Sequence, residues 1–444
     1  MSETTEYIGR KMAARNSLVI RNVRILDPVA GRDEIGDLAI VDGRFSDPPS
    51  AATRNLPQLD ARGLAAAPGL IDMHVHLREP GQTEKEDIAS GTQAAARGGF
   101  TTIVAMPNTV PVLDSVAAVE DLRERCRQTA AVRVLPCPAL TLGQQGRDLT
   151  DFKALKDAGA VALSEDGKSL ADPCLMRQAM LEARACGLPI VDHCEDPALA
   201  GIGVMHEGAV SHRLGLPGKP RSSEDLMVAR DIVLAAETGC AIHLQHLSSG
   251  LAVALLEWAS RQGLPVSGEA TPHHLLLTDQ QVARSGSNAK MNPPLREAED
   301  REALCRAVES GTIEAIATDH APHTLQDKEK PFDRAPAGVI GLETALGLCL
   351  QELHWRRGMP LLSVLSRFTS GPRRILGLEQ GTLAVGEAAD LILFDPEEGW
   401  TVDPETMVSK ARNTPFAGFA CRGRIKMTML AGECVFRNPS INIR

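Results

Sequence analysis

The sequence predicts an α/β protein, a (β/α)8 TIM-type barrel with a small β domain formed by both chain ends. Three observations lead there. Short apolar segments alternate with helix-like segments through the middle of the chain, which implies parallel pairing. There are eight apolar segments in about 250 residues, which favours a closed barrel over an open sheet. Most of them end in polar residues, at the face where barrels carry their sites.

Residues 1–17 are polar and predict a flexible tail. Residues 18–66 alternate in short runs such as "LVIRNVRILDP" and "DLAIVDGRFSD" and read as the N-terminal part of the small β domain. The barrel is expected over 67–376. Its strands are "GLIDMHVH" (69–76), "TTIVAMPN" (101–108), "VRVLPCPA" (132–139), "AVALSED" (160–166), "LPIVDHCE" (188–195), "CAIHLQHLS" (240–248), "LPVSGEATPHH" (264–274) and "TIEAIATDH" (312–320). Helices are expected at 86–97, 115–129, 173–186, 224–238, 251–262 and 299–310, where alanine, leucine and charge dominate. Several stop at a glycine before the next strand, among them Gly98–Gly99, Gly187, Gly239 and Gly311. Stretches 339–354 and 358–367 complete the outer ring. Residues 377–444, with "GTLAVGEAADLILFDP" and "FACRGRIKMTMLAGECVF", return to short strands and supply the rest of the β domain.

Composition narrows the function. Asp and Glu number 57 against 47 Lys and Arg, a net charge of -10, which argues against nonspecific nucleic-acid or acidic-membrane binding. Aromatics are 3% of the chain, too few for a stacking platform. No apolar run reaches the ~18 residues of a membrane span, and no N-terminal signal pattern is present, so a cytoplasmic enzyme is expected. The ten cysteines form no C-x-x-C pair. Cys126, Cys174, Cys186 and Cys240 read as small core residues, and Cys194 as structural.

The chemistry sits at the strand ends. His74 and His76 are two apart on a strand and therefore point to one side. Asp166, His193, His246 and Asp319 end the fourth, fifth, sixth and eighth strands. Any one of these is more often a core or capping residue than a ligand. Together, four histidines and two aspartates on one rim make a nitrogen and oxygen donor set for two borderline metals, zinc first. A carboxylate between two ions can bridge them while a shared hydroxide acts as nucleophile. His243 reads as structural, one of His273 and His274 as a residue of the mouth, and His320 as a support beside Asp319. Arg78 offers two parallel bonds to a carboxylate; the blander reading pairs it with Glu79 or Asp87. Asn108 and Asn292 offer amides suited to a cyclic amide or carboxylate, and His323 reaches toward a substrate anion. The loop 335–338 lies near the mouth. No Gly-x-Ser-x-Gly elbow or phosphate-binding loop competes.

The stretches "DMHVHLREPGQTEKEDIASGTQAAARGGFTTIVAMPNT", "IVDHCED", "TPHHLLL", "KMNPPLR" and "IATDHAPH" resemble dihydroorotases of the long bacterial type, within the metal-dependent amidohydrolases. The likeness runs from about residue 18 to the C-terminus. It implies reversible closure of N-carbamoyl-L-aspartate to L-dihydroorotate plus water, the third step of de novo pyrimidine synthesis. It places His74, His76 and Asp319 on one zinc and His193 and His246 on a second, with Asp166 at the bridging position where many relatives carry a carboxylated lysine. Family members usually read "DDG" there; this chain reads "SEDG", with Glu165 before Asp166. The resemblance assigns His76, Arg78, Asn108, Asn292 and His323 to the substrate, with the backbone of Ala337 and Gly338 at its edge. It also assigns the attack to a zinc-bound hydroxide and the proton transfers to Asp319. A homodimer is the expected assembly, and aspartate transcarbamoylase the partner to consider. Two rivals remain: an allantoinase or hydantoinase, opposed by Arg78, Asn108 and Asn292, and a noncatalytic subunit supporting the transcarbamoylase, opposed by retention of all six ligand positions.

Overall fold

In the computed structural model residues 17–48, 50 and 53–443 are described; all but the last residue of the expected tail lies outside them. Two runs of parallel strands make up the barrel wall. One joins Leu70–Val75, Phe100–Ala105 and Arg133–Pro136. The other joins Ile190–Asp192, Ile242–Leu244, Val266–Ala270 and Ala315–Ile316. Isolated bridges close both gaps. Ala139 pairs with Ser164, Leu163 with Ile190, and Val75 with His320, so the eighth position returns to the first.

The fourth segment, expected as a strand over 160–166, is extended but carries only those bridges. Main-chain bonds still join it to both neighbours, from the Val161 amide to the Pro136 carbonyl at 3.1 Å and from the Val191 amide to the Leu163 carbonyl at 2.8 Å, and side chains add to them. The Ser164 hydroxyl donates to the Val191 carbonyl at 2.7 Å. Glu165 Oε2 accepts from the amides of Leu140 and Thr141, each at 3.1 Å. The departure from "DDG" thus has a local use: the longer glutamate ties down the loop after the third strand.

The outer helices fall where the pattern expects them, at Ile88–Gly98, Val116–Thr129, Pro173–Cys186, Ser222–Thr238, Gly250–Arg261 and Ala298–Ser310. Asp87, Ser115, Asp172 and Ser249 cap helix starts through their side chains. The third unit carries a short helix, Phe152–Asp157, that the pattern had not marked. The helix expected from 339 begins only at Ala345 and continues as a π-helical run, Leu350–Arg356. Its first residues are used elsewhere: Val339 bridges His320, and the Gly341 amide donates to His320 Nδ1 at 3.1 Å.

Gly98 illustrates how tightly this ring meets the wall. A Cβ there would run into the carbonyl of Leu342, backbone that cannot swing aside, with Phe100 on its other flank. Gly98→Ala is expected to cost about 1–3 kcal/mol of overpacking, read as a lowered thermal midpoint; an unchanged midpoint would show that the helix shifts freely.

Both chain ends meet in one sheet. Its order is Glu433–Arg437, Ala420–Leu430, Leu391–Thr401, Ala65–Pro68, Leu18–Asp27, Arg32–Val41 and Arg44–Ser46, with Gln58–Asp60 also beside Leu18–Asp27. The antiparallel pair Leu391–Pro68 to Phe394–Ala65 splices the two ends. Ala66 packs with the sheet's own core of Ile20, Ile40, Leu391 and Met427. Its neighbours Ala65 and Ala67 pack with the barrel's outer core. Strand alternation therefore gives this segment one face in each core, across the expected 66/67 boundary.

Cys126, Cys194 and Cys240 are buried as expected, but Cys174 is exposed and Cys186 only partly buried. Both lie on helix Pro173–Cys186, whose core stripe is Met176, Ala179, Met180 and Ala183, and they fall off that stripe at its two ends.

Candidate metal centre

The first strand builds one side of the site. Asp72, His74 and His76 close this strand, where a register shift between Asp72 and Val75 breaks strict alternation and lets Met73 pack with Val104 and Ala317. Asp72, fully buried, accepts from the His74 amide and the Thr318 amide at 3.1 Å each and from the Thr318 hydroxyl at 2.6 Å. It ties the first strand to the eighth one residue before Asp319. Burial pushes its carboxyl up to about 6, against the pull of those donors.

The six predicted ligands all meet at the carboxyl end of the barrel. Asp166 lies at their centre. Its Oδ1 is 3.3 Å from His74 Nε2, 3.6 Å from His193 Nδ1 and 3.9 Å from His246 Nε2, and its Oδ2 is 3.5 Å from His76 Nε2. Asp319 Oδ1 is 3.1 Å from His76 Nε2 and 3.5 Å from His74 Nε2. His193 Nδ1 and His246 Nε2 approach to 2.9 Å. His246 and Asp319 hold left-handed backbone, φ +33° and +47°, as does Arg78 at +61°. Such conformations cost of order 1–3 kcal/mol each and aim side chains where ordinary strand geometry would not.

All six side chains are buried. Burial opposes charge in the cluster, yet the histidines beside Asp166 and Asp319 hold both carboxyls below the ordinary range and these carboxylates lift His74 above the usual histidine value, whereas burial prevails at His76 and lowers it. His74 Nε2 is buried without a well-formed hydrogen bond, aimed between the two carboxylates. Ligand atoms of His74, His76 and Asp319 lie within 4.8 Å of one another, as do those of His74, Asp166 and His246. Buried imidazole nitrogens and carboxylate oxygens gathered this closely fit a borderline divalent cation such as zinc. Lys168, the nearest lysine in sequence, points its ammonium to the Gln144 carbonyl at 3.3 Å.

A cavity of about 260 Å³ opens on the cluster, lined by His76, Arg78, Asn108, Asn292, His323 and the Ala337–Gly338 backbone among others. It is below the ~300 Å³ at which drug-sized pockets begin and suits a small ring. Arg78 is buried beside it. Nε donates to the Pro322 carbonyl at 3.2 Å, and Nη2 lies 3.4 Å from His323 Nε2. Among the described residues no carboxylate pairs with it: Glu79 is taken by Arg125, and Asp87 by Lys410. Burial lowers its pKa to about 10, which leaves it charged at neutral pH. His323 Nε2 lies 2.8 Å from the Ala337 carbonyl, and burial with Arg78 nearby brings its pKa to about 3, a neutral ring.

Both asparagines touch the ligands as well as the cavity. Asn108 Oδ1 is 2.8 Å from His76 Nδ1, and its Nδ2 donates to Asp166 at 3.2 Å. Asn292 Nδ2 is 3.1 Å from His193 Nε2, while Lys219 donates to Asn292 Oδ1 and to Glu195. Lys219, Asp72, Gln245 and Glu269 were not singled out from the sequence. Asp72 and Glu269 carried a signal, as carboxylates inside otherwise apolar strands. Lys219 carried none. His273 and His274 are both buried in the helix Pro272–Leu276, and neither lines the cavity; His274 is held by Thr271 and the Pro293 carbonyl instead. His243 is structural as expected, 2.8 Å from the Ser267 hydroxyl.

The family profile described as dihydro-orotase-like matches residues 63–251, and the amidohydrolase family profile matches 309–436. A dihydroorotase of Solibacter usitatus is 46% identical over 427 residues, 96% of this chain and 99% of the relative. One from Aquifex aeolicus is 41% identical over 426 residues, 95% and 99% of the two chains. Among solved structures, an L-hydantoinase (dihydropyrimidinase) from Arthrobacter aurescens superposes with a TM-score of 0.85 at 25% identity, covering 97% of this chain and 98% of its own. A dihydropyrimidinase from Brevibacillus agri shares the fold at TM-score 0.83 and 22% identity, covering 96% of each chain.

Proposed function

The chain belongs to the dihydroorotase family, and from that premise we propose that it works through a two-zinc centre held by His74, His76, Asp166, His193, His246 and Asp319. The activity is that of a dihydroorotase, a cyclic amidohydrolase that interconverts N-carbamoyl-L-aspartate and L-dihydroorotate in pyrimidine synthesis. The observation that carries the substrate reading is Arg78, a buried guanidinium beside the ligands with no carboxylate partner among the described residues. A buried cation calls for an anion, and the substrate carboxylate supplies one.

Arg78 and Asn108 hold that carboxylate and orient the ring over the ligands. Asn292 and the Ala337–Gly338 backbone border the rest of the ring, with neutral His323 donating or accepting a hydrogen bond. His76 takes part on both sides, as ligand and as a wall of the cavity. Zinc held by His74, His76, Asp166, His193, His246 and Asp319 would supply Lewis acidity at the ring carbonyl and would lower the pKa of a water toward neutral. Asp319, kept as a carboxylate, takes a proton from the attacking water and returns it to the leaving ring nitrogen; ring closure runs the same transfers backwards.

Arg78→Lys tests the substrate reading. A lysine keeps the charge but loses the paired geometry, so kcat/KM for dihydroorotate is expected to fall about a hundredfold, ~2–3 kcal/mol, mostly in KM. Hydantoin, which has no carboxylate, is expected to be a poor substrate of both proteins. Equal turnover of hydantoin and dihydroorotate by the unmodified chain would sink this reading in favour of a hydantoinase, the activity of the similar folds.

We further propose a homodimer in the cytoplasm, with aspartate transcarbamoylase as a candidate partner, and domain limits at 18–66, 67–376 and 377–444. Among the described residues no helix is long and apolar enough to cross a membrane. Light scattering of the purified chain, alone and with the transcarbamoylase, tests both assemblies.

A further inference from the structure

Glu269 lies on the seventh strand, Val266–Ala270, and is fully buried. A carboxylate in such a place needs donors. Oε1 is 3.2 Å from His74 Nδ1 and accepts from the His246 amide at 3.3 Å. Oε2 is 3.1 Å from His243 Nε2, whose ring is anchored in turn by Ser267. One side chain therefore touches a predicted ligand of each metal and braces the backbone at His246, where φ is +33°.

The contact with His74 has a chemical consequence. A carboxylate accepts only, so His74 Nδ1 carries a proton toward Glu269, and Nε2 is the atom that would give its lone pair to a bound ion. The Gln245 amide also lies 3.2 Å from Nδ1 and would favour the opposite tautomer. A charge-assisted bond is roughly twice as strong as a neutral one, so Glu269 decides. Nε2 is the atom left buried and unpartnered between Asp166 and Asp319.

We propose that Glu269 is a positioning residue for the metal centre: it fixes the tautomer of His74 and the backbone at His246, and so prepares both metal positions before an ion arrives. This rests on the two-zinc reading above. An outer carboxylate behind a ligating histidine commonly contributes about 10–100-fold in metal affinity.

The test is zinc affinity of the metal-free full chain, measured by competition with a chromophoric chelator, with thermal melting as the check on folding. Glu269→Gln is nearly isosteric but uncharged. It is expected to melt as a folded protein and to bind zinc about 10–100-fold more weakly. Ser267→Ala, which touches only the far side of His243, is expected to stay within about twofold. Should Glu269→Gln not fold, Glu269→Asp replaces it, with the same loss expected because the shorter arm cannot span His74 and His243. Unchanged affinity in whichever Glu269 variant folds overturns the proposal, as does an equal loss in Ser267→Ala. Failure of the unmodified chain to bind zinc at all would instead overturn the two-zinc reading.

Discussion

Asp319→Asn is expected to lower kcat for dihydroorotate hydrolysis by about a thousandfold to ten-thousandfold, the upper part of what a positioned acid–base contributes. The substitution barely changes shape, so the loss reports charge. The Asp319 carboxyl is held below the ordinary range, with the histidines winning over burial, and it is a carboxylate at any pH where the enzyme works. An amide in its place cannot take a proton from water, and it removes one of the two negative charges facing His74 and His76. Steady-state rates with metal content measured on the same sample separate the two effects. A variant holding its full metal complement and more than a tenth of the original kcat would remove Asp319 from the proton transfers.

The second large effect is metal removal. Dialysis against a strong chelator is expected to abolish turnover, and added zinc to restore it. The same treatment is expected to destabilise the fold. A cation bound only by the native state, at a thousandfold over its Kd, contributes about 4 kcal/mol. Asp166 sits among four histidines in a buried cluster, where charge is tolerable only when compensated. Calorimetry of the chelated and reloaded chain should show a lower melting temperature that recovers with zinc. Turnover that survives chelation to metal-free protein would discard the metal mechanism.

How much of the site can be read from the chain depends on where a residue lies. The six predicted ligands could be found because each ends a strand-like segment, and parallel barrel strands bring their ends to one rim whatever their distance in sequence. Arg78 was visible as a cation two residues past His76, but its freedom from Glu79 and Asp87 was not. That follows from Arg125 and Lys410, which reach those acids from other elements. Lys219 was invisible because nothing local distinguishes it; only the fold brings it to Asn292 and Glu195. His273 and His274 misled because the chain enters the helix Pro272–Leu276 right after the seventh strand, which buries both rings behind the cavity lining.

By itself the sequence determined the barrel, the β sheet shared by both ends, most of the outer helices and the gathering of polar residues at the strand ends. Each of these is a periodic or local signal: alternation, capping, glycine stops, polar residues closing apolar runs. Tertiary structure alone decided that the fourth segment joins the wall by isolated bridges reinforced by side chains, that Ala65–Pro68 faces two cores, and that Asp166 stands within reach of four histidines. Such facts depend on which side chains from distant segments share a few ångströms of buried space, and no local pattern in a chain encodes that distance.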